Sequence, residues 1–261
     1  MLTWYLGTIG FGYKDWKGAF YPPEIKPGDY LSYYSRSFNT VELDTTFYGI
    51  PKAERIQQWA GSVPDGFQFC AKTPRVITHD MGLQGVRGMM DEFLTVMQLL
   101  GNHLGVILLQ FPPSFTLKAA DKLAYFLEEL PKGIRYAVEL RHRSWYCDQT
   151  EGLLKNRNIA WAALEYPKVP MKIYPTADFL YIRWIGQHGS YDRHSHERED
   201  KTSQLVWWNA QIDAVGDRIH QVYGYFNNDY AGFAAGTCNK FKRILRLPVE
   251  SVKVEKQPRL F

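Results

Sequence analysis

Short runs of apolar, β-branched and aromatic residues recur along the chain and alternate with longer segments in which apolar residues return every three or four positions. The short runs are typical of buried strands, and the longer segments of amphipathic helices. The runs predict about eight strands, at Trp4–Ile9, Thr40–Asp44, Phe67–Ala71, Gly105–Gln110, Arg135–Leu140, Ile159–Leu164, Phe179–Trp184 and Gln221–Phe226. The segments between them predict helices at Gly28–Ser37, Lys52–Ala60, Asp91–Leu100, Leu117–Leu130, Gln149–Asn156, Ser203–Val215 and Ala231–Leu245.

Alternation of strand and helix through a whole chain predicts parallel strands, because parallel neighbours need a crossover connection. Eight such units in 261 residues match the size of one (β/α)8 barrel, about 250 residues. We therefore predict an α/β fold: a single TIM-like (β/α)8 barrel of parallel strands with outer helices. It forms one domain over residues 1–261, with a polar tail from about 248. No Gly-x-Gly-x-x-Gly motif with a strand before it and a helix behind it is present, which disfavours an open nucleotide-binding sheet.

The composition is that of a globular protein, with 45% hydrophobic and 22% charged residues. The net charge of +4 and pI near 8.8 fall short of the pI above about 9 that marks a nucleic-acid binder by charge alone. Three cysteines without metal-ligand spacing favour reduced thiols. Because neither a membrane-spanning apolar run nor a secretory signal pattern is present, we expect a cytoplasmic protein that does not enter membranes. The oligomeric state stays open.

Charged and amide residues occupy the carboxyl ends of nearly all the predicted strands. In a parallel barrel the active site lies at these ends, and alternate residues of each strand point inward. If Val41 and Leu43 face the helices, Glu42 and Asp44 face inward. The same reasoning brings a set of polar residues to one mouth, namely Lys72, Gln110, Glu139, Arg141, Arg183, Asn227 and Asn228.

Burying a bare carboxylate or ammonium costs several kcal/mol, roughly, unless the charge is paired or ligated. Two interpretations follow. The charges form a ligand site, or they neutralise one another in a closed network, for instance with Lys72 on Glu42 and Arg183 on Glu139. Convergence of the whole set favours a ligand site.

The residue types indicate how such a site would work. Glu139 and Glu42 are candidate general acid and base, and Lys72 is a candidate catalytic residue, either through its charge or as a Schiff-base nucleophile. Lys72, Arg141 and Arg183 suit phosphate or carboxylate. The remaining candidate ligand-binding residues are Gln110, Asp44, His79, His188, Asn227 and Asn228, with aromatic walls at Tyr13, Tyr48 and Trp145.

A metal site is the weaker interpretation of this mouth. Histidines lie in loops beyond the predicted strand ends, while lysine and arginine stand where metal ligands would be expected. We therefore predict no metal and no cofactor, with a divalent metal as the alternative.

The order of these motifs resembles a known family, the YecE-like proteins, a widespread domain of unknown function. The resemblance spans nearly the whole chain and rests on Gly7–Tyr13, Trp16, Phe20–Pro22, Val41–Leu43, Thr46–Tyr48, Pro51, Lys72, Thr78-His79, Leu108–Pro113, Ala137–His142, Ser144-Trp145, Tyr181–Arg183, His188-Gly189, Tyr191 and Phe226–Asn228. It implies a TIM-barrel-like fold and no established activity or cofactor. Two positions depart from the family pattern: Asp44 stands where an amide is common, and Phe11 where tryptophan is usual.

Together these observations predict a hydrolase that acts on an anionic, phosphate-bearing ligand, a nucleotide or a nucleic acid, at the carboxyl-end mouth. Two alternatives stay open. One is a non-catalytic module that binds nucleic acid or a small anion. The other is a glycoside hydrolase that uses the Glu42 and Glu139 pair.

Overall fold

The computed structural model describes residues 2–249 and shows an α/β fold. Its strands within that range are β1 Thr3–Thr8, β2 Thr40–Leu43, β3 Gln68–Lys72, β4 Leu104–Gln110, β5 Arg135–Glu139, β6 Ala160–Trp161, β7 Ala163–Glu165, β8 Phe179–Trp184 and β9 Gln221–Phe226. Its helices are α1 Tyr30–Ser37, α2 Ala53–Ala60, α3 Arg87–Gln98, α4 Ala120–Glu128, α5 Asp148–Lys155, α6 Thr202–Asp213, α7 Asn228–Ala231 and α8 Ala234–Ile244. A π-helical turn at Val76–Asp80 and several 3-10 turns join them.

All the strand pairs are parallel, and they form two sheets. One sheet has the strand order β2-β3-β4-β5-β6, and the other has the order β1-β9-β8-β7. The closed eight-stranded barrel predicted from the sequence is therefore not formed by continuous strand pairing among the described residues. An isolated parallel bridge between Ile9 and Glu42 lies just beyond β1 and brings the two sheets together at their carboxyl ends.

Side chains take the place of backbone pairing between β1 and β2. The Tyr34 hydroxyl accepts a hydrogen bond from the Thr8 amide at 2.8 Å and donates to the Thr40 carbonyl at 3.0 Å. The Asn39 amide group accepts from a β1 N–H at 3.1 Å and donates to a β1 carbonyl at 2.7 Å. Gly7 permits this approach, since a Cβ there would lie 2.0 Å from the Thr40 oxygen. The backbone groups are thus satisfied without a continuous ladder.

The second break falls within the run Ile159–Leu164, which the sequence predicts as one strand. The Ala162 amide still donates to Val138 of β5 at 2.9 Å, whereas β7 pairs with β8 in the other sheet. The Trp161 amide donates instead to the Thr176 hydroxyl at 2.8 Å. The chain therefore passes from one sheet to the other at this point, and the predicted strand is two short strands.

Two apolar cores follow from the alternation of side chains along the strands. The larger core lies between the strands and the helices and includes Val41, Leu109 and Phe241. The smaller core gathers residues of the opposite strand face from both sheets, among them Cys70 and Tyr225. This enclosed core fills the space between the sheets and supports the side chains at the carboxyl ends of the strands.

The remaining element predictions agree with the structure to within a few residues. The strands at 179–184 and 221–226 have the predicted bounds, and seven predicted helices correspond to described helices, with short α7 separated from α8 at Gly232. Most of the predicted polar tail, residues 250–261, lies outside the described residues. None of the described helices is long and apolar enough to cross a membrane.

Candidate functional site

Three buried charged side chains meet at the carboxyl ends of β2, β5 and β8. Val41 and Leu43 pack in the helix-facing core, so Glu42 between them lies on the enclosed face. Glu139 and Glu42 are both 0% exposed, and Arg183 is 4% exposed. Alternation along each strand therefore places all three charges inside.

One guanidinium holds both glutamates. Arg183 donates from Nε to Oε2 of Glu42 at 2.9 Å and from Nη2 to Oε1 at 2.7 Å, which is a two-bond clamp. Its Nη1 donates to Oε2 of Glu139. The Tyr181 hydroxyl adds a bond to Glu42 at 2.7 Å, and Arg141 Nε donates to Glu139 Oε1 at 2.6 Å. We name Glu42, Glu139 and Arg183 the ion triad.

Two members of the ion triad, Glu139 and Arg183, keep their charges. Burial raises the pKa of the Glu139 carboxyl, but Arg141 and Arg183 lower it by more, so that this pKa is about 2. Burial likewise lowers the pKa of Arg183, and the two glutamates raise it well above its usual value. An ionised Glu139 accepting from two guanidiniums is poorly placed to act as a general acid. The acid and base roles predicted for the Glu42 and Glu139 pair, and the glycoside hydrolase that needs them, stay predictions.

Lys72 lies beside the ion triad without joining it. The predicted Arg183–Glu139 pair forms, but the predicted Lys72–Glu42 pair does not: among the described residues no carboxylate lies within 4.0 Å of the Lys72 Nζ. The ammonium instead lies 3.6 Å from the centre of the Phe47 ring. Burial lowers the pKa of Lys72 and the Arg183 charge adds to this, giving a pKa of about 8.

Asp44 follows β2 on the same side of the chain as Glu42. Burial raises the pKa of the Asp44 carboxyl, and the Glu42 charge raises it further. The backbone of Gly10, at φ +73°, comes close to it, since a Cβ on Gly10 would lie 3.2 Å from Asp44 Oδ1. Tyr13 stands next to this point, where its hydroxyl donates to the Ile9 carbonyl at 2.6 Å and its ring packs on Trp16. Asp44 is therefore a carboxyl group suited to proton transfer.

His79 also contacts the Phe47 ring. The ring centroids of Phe47 and His79 are 4.9 Å apart, and the His79 Nδ1 is 2.9 Å from the Thr78 hydroxyl. Burial lowers the pKa of His79, and the Lys72 charge lowers it further, to about 4. His79 is thus neutral at physiological pH. Gln110 is buried beside Glu139 in the strand register, with its amide donating to the Phe111 carbonyl at 2.7 Å.

Several residues predicted for the site are engaged elsewhere. Trp145 is fully buried, stacks on Phe115 and donates to its carbonyl at 2.7 Å, so its contacts are those of a core residue. Asn227 caps α7 by accepting from the Asp229 amide, and Asn228 accepts from the Trp16 indole at 3.2 Å.

Two further predicted residues are at the surface. Tyr48 is 83% exposed and touches Phe47 edge-on at 5.5 Å. The His188 side chain is 98% exposed and reaches Asp229 at 3.2 Å. The structure therefore brings together Glu42, Asp44, Lys72, His79, Gln110, Glu139, Arg141 and Arg183, with Tyr13 at one edge.

Sequence reasoning missed two aromatic partners of the charged groups. Tyr181 lies two residues before Arg183 on β8, so the same alternation that placed Arg183 inside would have found it. Tyr166 follows β7 directly, and its ring packs 4.6 Å from the Arg141 guanidinium carbon. Tyr166 also lines a cavity of about 340 Å³ at the ends of β7 and β8, together with Glu165, Gly186, Lys201 and Tyr230.

Within residues 2–249 there is no cluster of three or more His, Cys, Asp or Glu side chains that could hold a metal ion. The charged groups at the strand ends alternate in sign instead, with arginine and lysine between the carboxylates. Cations and carboxylates are the residue types that bind anions and transfer protons.

Comparison with known proteins places this arrangement in a family. The family model described as "Protein of unknown function DUF72" matches residues 5–260. The chain belongs to the DUF72 family. The YecE-like resemblance is confirmed as well, because the UPF0759 protein YecE of Escherichia coli is 36% identical over 181 residues. That match covers 60% of this DUF72 chain and 66% of YecE, just under two thirds of its length.

Other relatives extend the match to nearly the full chain. The UPF0759 protein YunF of Bacillus subtilis is 27% identical over 269 residues, covering 92% of this chain and 94% of YunF. The crystal structure of a DUF72 family protein from Thermotoga maritima is 30% identical, with a TM-score of 0.77 over 94% of this chain and 99% of that one. A DUF72 structure from Enterococcus faecalis, 23% identical with a TM-score of 0.77, shares the fold over 95% of this chain and 99% of its own.

Proposed function

We propose that this DUF72 protein is an enzyme that binds an anionic, phosphate-bearing ligand where the carboxyl ends of the two sheets meet, as at the mouth of a TIM-like barrel. Lys72 carries the proposal. Its ammonium is half-buried without a carboxylate partner among the described residues, while the neighbouring glutamates are taken up by arginines. A buried charge without a partner is costly, and an anionic ligand would supply the missing countercharge.

Arg141 supplies the second contact. Its Nε is bonded to Glu139 and its plane packs on Tyr166, which fixes the guanidinium, and 19% of the side chain is exposed. None of the described residues is hydrogen-bonded to its two terminal nitrogens. A fixed guanidinium with two free N–H groups suits two-bond recognition of a phosphate. Arg141 would therefore hold the phosphate, and Lys72 would face the reacting end of the ligand.

Hydrolysis of a phosphoester is the reaction class we propose. In this reaction Asp44, whose carboxyl has a raised pKa, would transfer the proton, and Lys72 would stabilise the charge that develops. The ion triad would hold Arg141 and Tyr181 in place rather than exchange protons.

Binding of inorganic phosphate and nucleoside monophosphates by calorimetry tests the anion site. Arg141→Ala and Lys72→Met should each weaken binding by about tenfold or more, the effect of losing one charge-assisted contact. The matched control is Lys122→Ala, which removes an exposed cation on α4. Binding should also weaken as the pH rises through about 8, where Lys72 loses its proton. Equal affinity in all four proteins would refute the anion site.

Oligonucleotide binding separates a nucleic-acid ligand from a small one. A protein that contacts several phosphates loses orders of magnitude in affinity between low and moderate salt, whereas a single-phosphate pocket shows little oligonucleotide binding to titrate. Asp44→Asn tests the reaction. For a phosphoester that the wild type hydrolyses, this variant should slow hydrolysis by about 100-fold and leave ligand affinity unchanged, as expected for loss of proton transfer. Full turnover by this variant would remove Asp44 from the mechanism.

A further inference from the structure

The position of Lys72 suits a nucleophilic amine as well as an anion-binding cation. It is the last residue of β3, where the strand is held by pairing on both sides with β2 and β4. The Nζ lies 3.6 Å from the centre of the Phe47 ring, and no hydrogen bond ties it to any described side chain or carbonyl. A primary amine on a rigid strand end, in contact with an aromatic face and free of acceptors, has its lone pair available once it is deprotonated.

We propose that Lys72 forms an imine with a carbonyl compound that also bears a phosphate or carboxylate group, its anion held by Arg141. The inference rests on the anion site of the proposed function, but not on phosphoester hydrolysis. It names the ligand class more closely, as an anionic aldehyde or ketone.

The step is balanced without an added oxidant or reductant. The Nζ lone pair forms a bond to the carbonyl carbon, and the π pair of the C=O bond moves to oxygen, which takes up a proton. The resulting carbinolamine loses its oxygen as water, and the C=N bond forms with the nitrogen lone pair. The proton that leaves nitrogen and the proton that oxygen needs can both pass through one carboxyl group, and Asp44 is the neighbouring group suited to this.

The surroundings of Lys72 favour the free amine. Arg183 and Arg141 place two positive charges nearby, while the glutamates that would hold the Lys72 proton are bonded to those arginines. With a pKa of about 8, roughly half of the amine is free at pH 8, against well under 1% for an ordinary lysine. Nucleophilic lysines are activated in this way, by burial and by neighbouring cations.

Reductive trapping tests the proposal on the intact protein. The protein is treated with pyridoxal 5′-phosphate, an aldehyde that bears a phosphate, then with sodium borohydride, which reduces an imine to a stable secondary amine. Peptide mass mapping then gives the rate at which each lysine is modified. We expect Lys72 to react at least tenfold faster than exposed Lys122, with a pH midpoint near 8. Equal rates at the two lysines would overturn the proposal.

Three comparisons separate this inference from the proposed function. Pyridoxal, which lacks the phosphate, should modify Lys72 more slowly, and so should pyridoxal 5′-phosphate acting on Arg141→Ala. Selective modification of Lys72 by both aldehydes at the same rate would support the nucleophile but refute the phosphate site. Phosphate binding that needs Arg141, without selective modification of Lys72, would refute the nucleophile and leave the proposed function standing. In Lys72→Arg, whose folding circular dichroism would verify, the fast modification should be absent.

Discussion

Lys72 is costly to the folded protein, and the cost has a measurable pH dependence. Because folding lowers the Lys72 pKa from 10.5 to about 8, the charged amine destabilises the folded state at every pH below about 8. Between pH 8 and 10.5 the unfolded chain holds the proton and the folded chain does not, so the penalty is relieved as the pH rises. A residue kept at such a cost is typical of a functional site.

Lys72→Met is therefore expected to raise the free energy of unfolding at pH 7 by about 1 to 2 kcal/mol, allowing for partial exposure of the amine. The gain should shrink steadily above pH 8 and vanish above 10.5. Urea unfolding at several pH values measures this, with Lys122→Met as the matched exposed substitution. A loss of stability at pH 7 would mean that Lys72 has a stabilising partner in the fold.

The alternation of side chains was enough to predict which charges point inward, but not which of them pair. Val41 and Leu43 are apolar, so the inward position of Glu42 between them could be predicted. Lys72 is on the strand next to Glu42, whereas Arg183 is on the other sheet. Which of them binds Glu42 depends on how far each side chain reaches, and sequence spacing does not contain this. The same limit explains Trp145, whose position after a strand indicates a loop but whose indole is buried against Phe115.

The α1 helix contributes one hydroxyl, that of Tyr34, to the gap between β1 and β2. Tyr34→Phe would leave the Thr8 amide and the Thr40 carbonyl without their partner in a buried place, and an unpaired buried group costs about 1 to 3 kcal/mol. We expect a loss in that range in urea unfolding. Hydrogen exchange should also quicken at the Thr8 amide. Tyr125→Phe, at a residue on α4 that is 69% exposed, should change neither quantity. If Tyr34→Phe changed neither the free energy of unfolding nor the exchange rate of the Thr8 amide, water would be replacing the hydroxyl.

The elements themselves follow closely from hydrophobic period, but the closure of the sheet does not. Runs such as 179–184 are bounded by turn residues and are buried on both faces, so their bounds were predictable. The run 159–164 is predicted as one strand because all its residues are apolar. The break within it depends on a hydrogen-bond acceptor that lies elsewhere in the sequence. The Thr176 hydroxyl, 15 residues on from Trp161, takes the hydrogen bond that a neighbouring strand would otherwise accept. Such contacts between distant residues are absent from a local pattern.

The ion triad joins the two sheets, and this sets its importance for the whole molecule. Glu42 and Glu139 belong to the five-stranded sheet, whereas Arg183 belongs to the four-stranded sheet. The triad and the Tyr34 hydroxyl at the β1–β2 gap connect the two sheets through side-chain hydrogen bonds, where a closed barrel would connect them through backbone hydrogen bonds. The triad also fixes Arg141, so the proposed anion site depends on the same bonds that hold the sheets together.

Removing one member of the triad should therefore be worse than removing all three. Arg183→Met leaves Glu42 with the Tyr181 hydroxyl and Glu139 with Arg141 as their remaining partners among the described residues. It should cost about 3 to 5 kcal/mol, while the triple variant Glu42→Gln, Glu139→Gln, Arg183→Met should recover most of that loss. Because the folded pKa of Glu139 is about 2, below its ordinary 4.5, the wild type loses stability as the pH falls from 4.5 towards 2. The triple variant should lose less over this interval.

Urea unfolding of wild type, Arg183→Met and the triple variant at pH 7 and pH 3 measures both effects. Should Arg183→Met not fold, Glu139→Gln alone serves in its place, because it removes one acceptor from two guanidiniums. The acid or base role predicted for Glu139 from the sequence implies that Glu139→Gln abolishes activity and leaves folding intact. The ion triad implies instead that this variant also loses stability. A triple variant less stable than Arg183→Met would show that the two carboxylates do not need Arg183 to be buried, which would contradict this prediction.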